Sequence, residues 1–147
     1  MATQRQTLLT FLEADSALTT LLTGGIFDAS ELDLEGLSPS DLPTDAVGRV
    51  QPLLLIRWRG EGEKEVIGRT ERRTVELYLY DFAGYATIEA AKRRIKTLLD
   101  NQKIGSADDA NMNHFKWMGG IGEFVPEEFD NVGAGEMMRF YVDYARS

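Results

Sequence analysis

The chain has 147 residues, 43% hydrophobic and 27% charged, with a formal net charge of −8 and no cysteine. That size and balance fit one globular domain spanning residues 1–147, while the missing thiols exclude disulfides, thiolate metal sites and cysteine nucleophiles. An acidic chain is a poor partner for phosphate backbones, and its longest aliphatic run, Leu53 to Ile56, is too short to span a membrane.

Leu8, Phe11 and Leu12 recur at helical spacing and predict a helix from about Arg5 to Ala14. Asp15 and Ser16 interrupt it and restart it, because short oxygen-bearing side chains accept hydrogen bonds from the free N–H groups of a new turn. Leu18, Leu21 and Leu22 give that second segment an apolar face as far as about Thr23. Gly24-Gly25 stop it where a left-handed residue is needed, and Ile26-Phe27-Asp28 leave it extended. From Ile26 to Gln51 the sequence predicts an irregular acidic arm punctuated by Gly36, Pro39, Pro43 and Gly48. Up to residue 52 the acids Glu13, Asp15, Asp28, Glu31, Asp33, Glu35, Asp41 and Asp45 face only Arg5 and Arg49.

Pro52 opens a strand from Leu53 to Arg59, followed by the charged, glycine-rich stretch Gly60-Glu61-Gly62-Glu63-Lys64-Glu65. From Arg72 to Tyr80, Val75, Leu77 and Leu79 alternate with Thr74, Glu76, Tyr78 and Tyr80, the period of a half-buried strand. Together these segments predict a β-hairpin whose tip projects from the body. Asp81 to Gly84 turn the chain into a helix over about Tyr85 to Asp100, with Ile88, Ala91, Ile95, Leu98 and Leu99 as its buried stripe. A polar connector, 101–113, leads to a closing antiparallel pair, Phe115 to Phe124 and Met137 to Tyr144. The expected fold is α+β: a two-layer domain with a mainly antiparallel four-stranded sheet and two helices on one face.

Catalytic chemistry finds little support in the sequence. His114 is the lone histidine and has no nucleophile near it, so it reads as a surface or turn residue. Asp109-Ala-Asn111-Met-Asn113 copies the opening of a calcium loop, but His114 and Gly120 stand where glycine and the bidentate glutamate belong. Gly119-Gly120-Ile121-Gly122 lacks the lysine of a phosphate loop and reads as a strand bend or bulge. We expect no enzyme, no metal and no cofactor. A small ligand-binding or cyclase-like α+β enzyme is the alternative from another class, since a curved sheet with a helix can enclose a pocket.

Interaction chemistry is richer. Arg57, Arg59, Arg69, Arg72 and Arg73 cluster on the hairpin, where guanidinium groups pair bidentately with carboxylates. Their partners are either acids of a neighbouring subunit or the hairpin's own Glu61, Glu63, Glu65 and Glu71. Trp58, Arg59, Glu61, Glu63, Glu65, Ile67, Arg69, Arg72 and Arg73 are therefore the candidate interface, joined by Phe27, Leu32 and Leu34 of the arm. Ordering the arm costs about 1–2 kcal/mol per residue in backbone entropy. Ile26, Phe27, Leu32, Leu34, Leu37 and Leu42 are accordingly expected to be mobile in a free subunit and ordered against a neighbour.

Ala14 to Ala29, a kinked helix delivering an extended arm, resembles the start of the tail-terminator (tail-completion) proteins of long-tailed bacteriophages. Pro52-Leu-Leu-Leu-Ile-Arg-Trp58 is similar to that family's first strand and Arg72 to Asp81 to its second. The helix Ile88 to Leu99 and the closing Glu136 to Tyr144 fall in the same order. The resemblance implies a virion protein, made in the host bacterial cytoplasm, that forms a homo-hexameric ring at the head-proximal end of the tail. Its partners would be the tail-tube protein and a head-completion or stopper protein, with DNA passing through the ring without specific binding. A neighbouring head–tail connector protein of similar fold is the alternative within this class.

Overall fold

In the computed structural model, residues 4–28, 49, 51–64, 70–104, 112–124 and 133–145 are described. The elements are α1 (Gln4–Glu13), α2 (Ser16–Leu21), β1 (Gly25–Asp28), β2 (Leu53–Lys64), β3 (Thr70–Asp81), α3 (Tyr85–Leu99), β4 (Met112–Phe124) and β5 (Ala134–Ala145). The α+β class holds, with a five-stranded sheet in the order β1-β2-β3-β5-β4.

The break between α1 and α2 follows from Asp15. Its backbone leaves the helical region (φ −84°, ψ 108°) and its carboxylate accepts the Leu18 amide at 2.9 Å, so one helix ends and another is capped at the same residue. Gly25 then takes φ +104°, a conformation that a side chain disfavours, and the chain turns into β1.

β1 corrects the expected extent of the arm. Ile26 to Asp28 do not belong to an irregular segment but pair in parallel with Leu54 to Ile56. The Gly24 amide donates to the Pro52 carbonyl at 2.8 Å and sets that register. Ile26 is buried in the core of the single chain and needs no neighbour to be ordered, while Phe27 projects to the opposite face and is half-buried. Leu32, Leu34, Leu37 and Leu42 lie outside the described residues.

The hairpin strands are longer than the sequence suggests. β2 and β3 stay paired to Lys64 opposite Thr70, across an irregularity between Trp58 and Glu61. β3 is also paired with β5 along its whole length, through Thr70 opposite Ala145, so as far as Thr70 the hairpin is part of the sheet. The glycine-rich composition of Gly60 to Gly62 did not prevent this, because a long flanking strand supplies the hydrogen bonds that side-chain packing lacks.

One sheet face carries Leu54, Ile56, Trp58, Val75, Leu77, Leu79, Met138, Phe140 and Val142, and Leu8, Leu12, Leu18, Ile88, Ala91, Ile95 and Leu99 pack on it from the helices. Helices on one face are thus as expected. The connector after α3 is more structured than its polarity implied. Asn101 and Gln102 exchange backbone hydrogen bonds with Phe115 at 2.7 and 2.9 Å, and Ile104 enters the core.

The glycines of β4 sit at register shifts between Trp117 and Gly119 and between Gly120 and Gly122, the bulges their sequence predicts. Gly120 is fixed by close approach: a β-carbon there would lie 2.0 Å from the Met137 carbonyl oxygen. No helix among the described residues is long and apolar enough to cross a membrane.

Candidate functional site

Strand alternation sends every second residue of β2, β3 and β5 to the face away from the helices. There the register stacks three rungs: Leu53 beside Tyr80, Leu55 beside Tyr78 and Met137, and Arg57 beside Glu76 and Arg139. Further toward the hairpin end, Thr74 faces Tyr141 and Arg72 faces Asp143. The face is therefore graded. Leu53, Leu55, Tyr80 and Met137 are buried at one end, and arginines gather at the other.

Glu76 is the hub of the charged end. It is only 3% exposed and accepts hydrogen bonds from Arg59 Nε, from Arg139 Nη2 at 2.9 Å and from the Tyr78 hydroxyl at 3.0 Å. Burial alone would raise its pKa; the donors, Arg59 first, outweigh burial and hold the carboxyl below the usual glutamate range. The same environment pushes the Tyr78 hydroxyl up, through its own burial and then its bond to Glu76. Beside this hub Arg72 grips Asp143 with Nε at 2.8 Å and Nη2 at 3.3 Å while lying 4.0 Å above the Tyr141 ring. Arg57, half-buried between the two ends, makes no ion pair among the described residues.

The predicted interface residues separate into groups. Trp58 is 7% exposed and belongs to the core, where Arg73 lies 4.8 Å over its ring and donates to Gln4 at 3.1 Å. Trp58 and Arg73 thus stand on the helix side, away from Arg59 and Arg72. Arg59 and Arg72 both find partners within the chain, Glu76 and Asp143, which the sequence had not named; the side chains of Glu61, Glu63, Glu65 and Glu71 lie outside the described residues. Glu61 lies opposite Arg73 and Glu63 opposite Glu71 in the β2–β3 ladder. Glu65, Ile67 and Arg69 fall outside the described residues, as do Asp109 and Asn111 of the calcium-like stretch.

Sequence reasoning missed Glu76, Arg139 and Asp143 as site members. An acid at an outward position of an otherwise apolar-and-aromatic strand was the available signal, but its partners come from two other strands and need the register to be found. His114 is exposed on β4, as expected. Among the described residues no three His, Cys, Asp or Glu side chains are grouped to hold a metal ion. Another buried carboxylate, Glu136, lies on the helix side and pairs with Lys92 of α3.

No protein-family model matches the sequence, and no curated protein matches it. Among solved structures, a chain of the virion of a native gene transfer agent particle superposes with a TM-score of 0.65. That match has 14% sequence identity and covers 97% of this chain and 94% of the other. The two chains share a fold over nearly their whole lengths.

Proposed function

We propose that this chain is a structural protein of a phage-like virion. It forms a homo-hexameric ring that terminates the tail tube and offers a surface for head or neck attachment. The observation carrying this reading is the fold shared, over almost the full length of both chains, with a component of a gene transfer agent virion. The order of kinked helix, arm, hairpin, helix and closing strand pair supports the tail-terminator assignment within that class. The side chains favour assembly over catalysis: the outward face carries Arg57, Arg59, Arg72 and Arg139 beside Tyr78, Tyr141 and Met137, residue types enriched at interfaces. A net charge of −8 suits a ring through which DNA slides without sticking.

Native mass spectrometry of the purified protein, alone and with tail-tube subunits of the same virus, tests this. A closed particle of six 16.5 kDa chains, or one that forms on the tube end, is the expected result. A protein that stays single and ignores the tube overturns it. A ring that ignores the tube but binds a head-completion or stopper protein moves the assignment to the neighbouring connector role.

A further inference from the structure

The net negative charge of this protein is confined to a few connecting segments. Residues 29–48 contain Glu31, Asp33, Glu35, Asp41 and Asp45 and no basic residue; 105–111 and 125–132 add Asp108, Asp109, Glu127, Glu128 and Asp130, again with none. Those ten acids exceed the whole net charge of −8, so the rest of the chain is slightly positive. Helix α3 holds part of that positive charge, in Lys92, Arg93, Arg94 and Lys96 against Glu89, and the outward face of the sheet holds another part. Arg57, Arg59, Arg72 and Arg139 stand there against Glu76 and Asp143, two arginines in excess.

Within the acidic arm, Glu31-Leu32-Asp33-Leu34-Glu35 alternates strictly. In an extended backbone such a pattern places three carboxylates on one side, about 6.6 Å apart, and both leucines on the other. Arg57 and Arg59 repeat at the same two-residue interval along β2. The cationic face is also partly open, because the side chains of Arg59, Arg72 and Arg139 are 46%, 41% and 38% exposed despite their ion pairs.

We infer that the arm segment Glu31–Glu35 of one copy docks on the Arg57–Arg59–Arg72–Arg139 face of the next copy. The occupant is a second copy of this chain, recognised by matched charge at matched spacing. Arg57 supplies a guanidinium that pairs with no acid among the described residues, and Arg59 and Arg139 flank it. The segment begins three residues after β1, so the chain can carry Glu35 up to about 25 Å beyond Asp28. Such a contact is head-to-tail, arm on one side and arginine face on the other, and repeats around a closed ring. The inference rests on the ring proposed above.

Two complementary variants test it. The face variant carries Arg57→Glu and Arg72→Glu; the arm variant carries Glu31→Lys, Asp33→Lys and Glu35→Lys. Each alone should lose the ring and run as single chains, since like charges then meet at every contact. Mixed in equal amounts they should regain it, because alternating copies restore opposite charges at both kinds of junction. A contact made within one chain gives no such rescue on mixing. The milder Arg57→Gln and Arg72→Gln pair, judged folded by its circular dichroism and thermal transition, should raise the concentration for half-assembly at least tenfold. Wild-type rings with both charge-reversed variants assembling equally well, or an unrescued mixture of folded variants, overturn the docking and leave the ring reading standing. Wild-type protein that never assembles overturns both.

Discussion

Arg94 of α3 reaches back to Asp15 with both Nε and Nη2, at 2.9 and 2.6 Å, and so ties the last long helix to the joint between the first two. Asp15 thereby performs two tasks with one carboxylate: it caps α2 through the Leu18 amide and anchors α3. The Arg94 guanidinium outweighs partial burial and, with the Leu18 amide, holds this carboxyl below the usual aspartate range.

Replacing Asp15 by alanine should destabilise the fold by about 1 kcal/mol through the lost cap. The ion pair adds less, since Arg94 is well exposed and screened by solvent. Asp15→Asn retains an oxygen for the cap and should fall between alanine and wild type in urea denaturation.

Glu76→Gln should cost more, about 2–4 kcal/mol, because it leaves Arg59 and Arg139 side by side without their shared anion. Replacing Arg59 and Arg139 together with glutamine in that background should recover part of the loss. Equal stability of Glu76→Gln and wild type by chemical denaturation would show that the hub contributes nothing to the subunit.

Acid should destabilise the fold through Glu76 and Asp15. Both carboxyls titrate below their ordinary values in the folded state, so their contribution is complete at neutral pH and is lost as the pH falls through those depressed values. Asp81 has the opposite sign. Burial outweighs its bond from the Ala83 amide and raises its pKa, so the ionised form opposes folding at neutral pH. Asp81→Asn should therefore match or exceed wild-type stability at pH 7, and the advantage should shrink in acid. Thermal melts across pH check both signs.

Phe140→Ala should cost about 3–5 kcal/mol, since the ring is fully buried and meets Trp117 edge-on at 5.3 Å. Met118→Ala, at a side chain 49% exposed, should stay within about 0.5 kcal/mol. Gly120→Ala should destabilise by more than Gly119→Ala. The first meets the Met137 carbonyl at 2.0 Å, whereas the second meets open space and bears only the strain of φ +90°.

The parts of this fold that were legible in the sequence are those governed by local pattern. Val75, Leu77 and Leu79 announce β3, the Ile88 to Leu99 stripe announces α3, and Asp15 marks the helix joint. β1 was not legible, because a four-residue parallel edge strand shows too little alternation and depends on a partner that arrives only at Leu53. Ile104 was hidden for a similar reason: a single apolar residue in a polar stretch gains its burial only when the distant parts of the core come together. In the candidate site the arginines were visible but their alliances were not. Arg59 and Arg72 sit on one face and Arg73 on the other, a distinction set by pleat parity across an irregular ladder.

β1 has a consequence for the birth of the protein. Leu53-Leu54-Leu55-Ile56 is an uncharged aliphatic run held as a strand, the kind of segment that recruits other nascent chains when its edge is bare. Gly25 to Asp28 occupy that edge, and they are synthesised before the run they cover. The shield is therefore already outside the ribosome when the sticky strand emerges. Arg5, bonded at 2.7 Å to Asp28 at the end of β1, helps hold it in place. This ordering keeps strand-upon-strand association between nascent chains from beginning first.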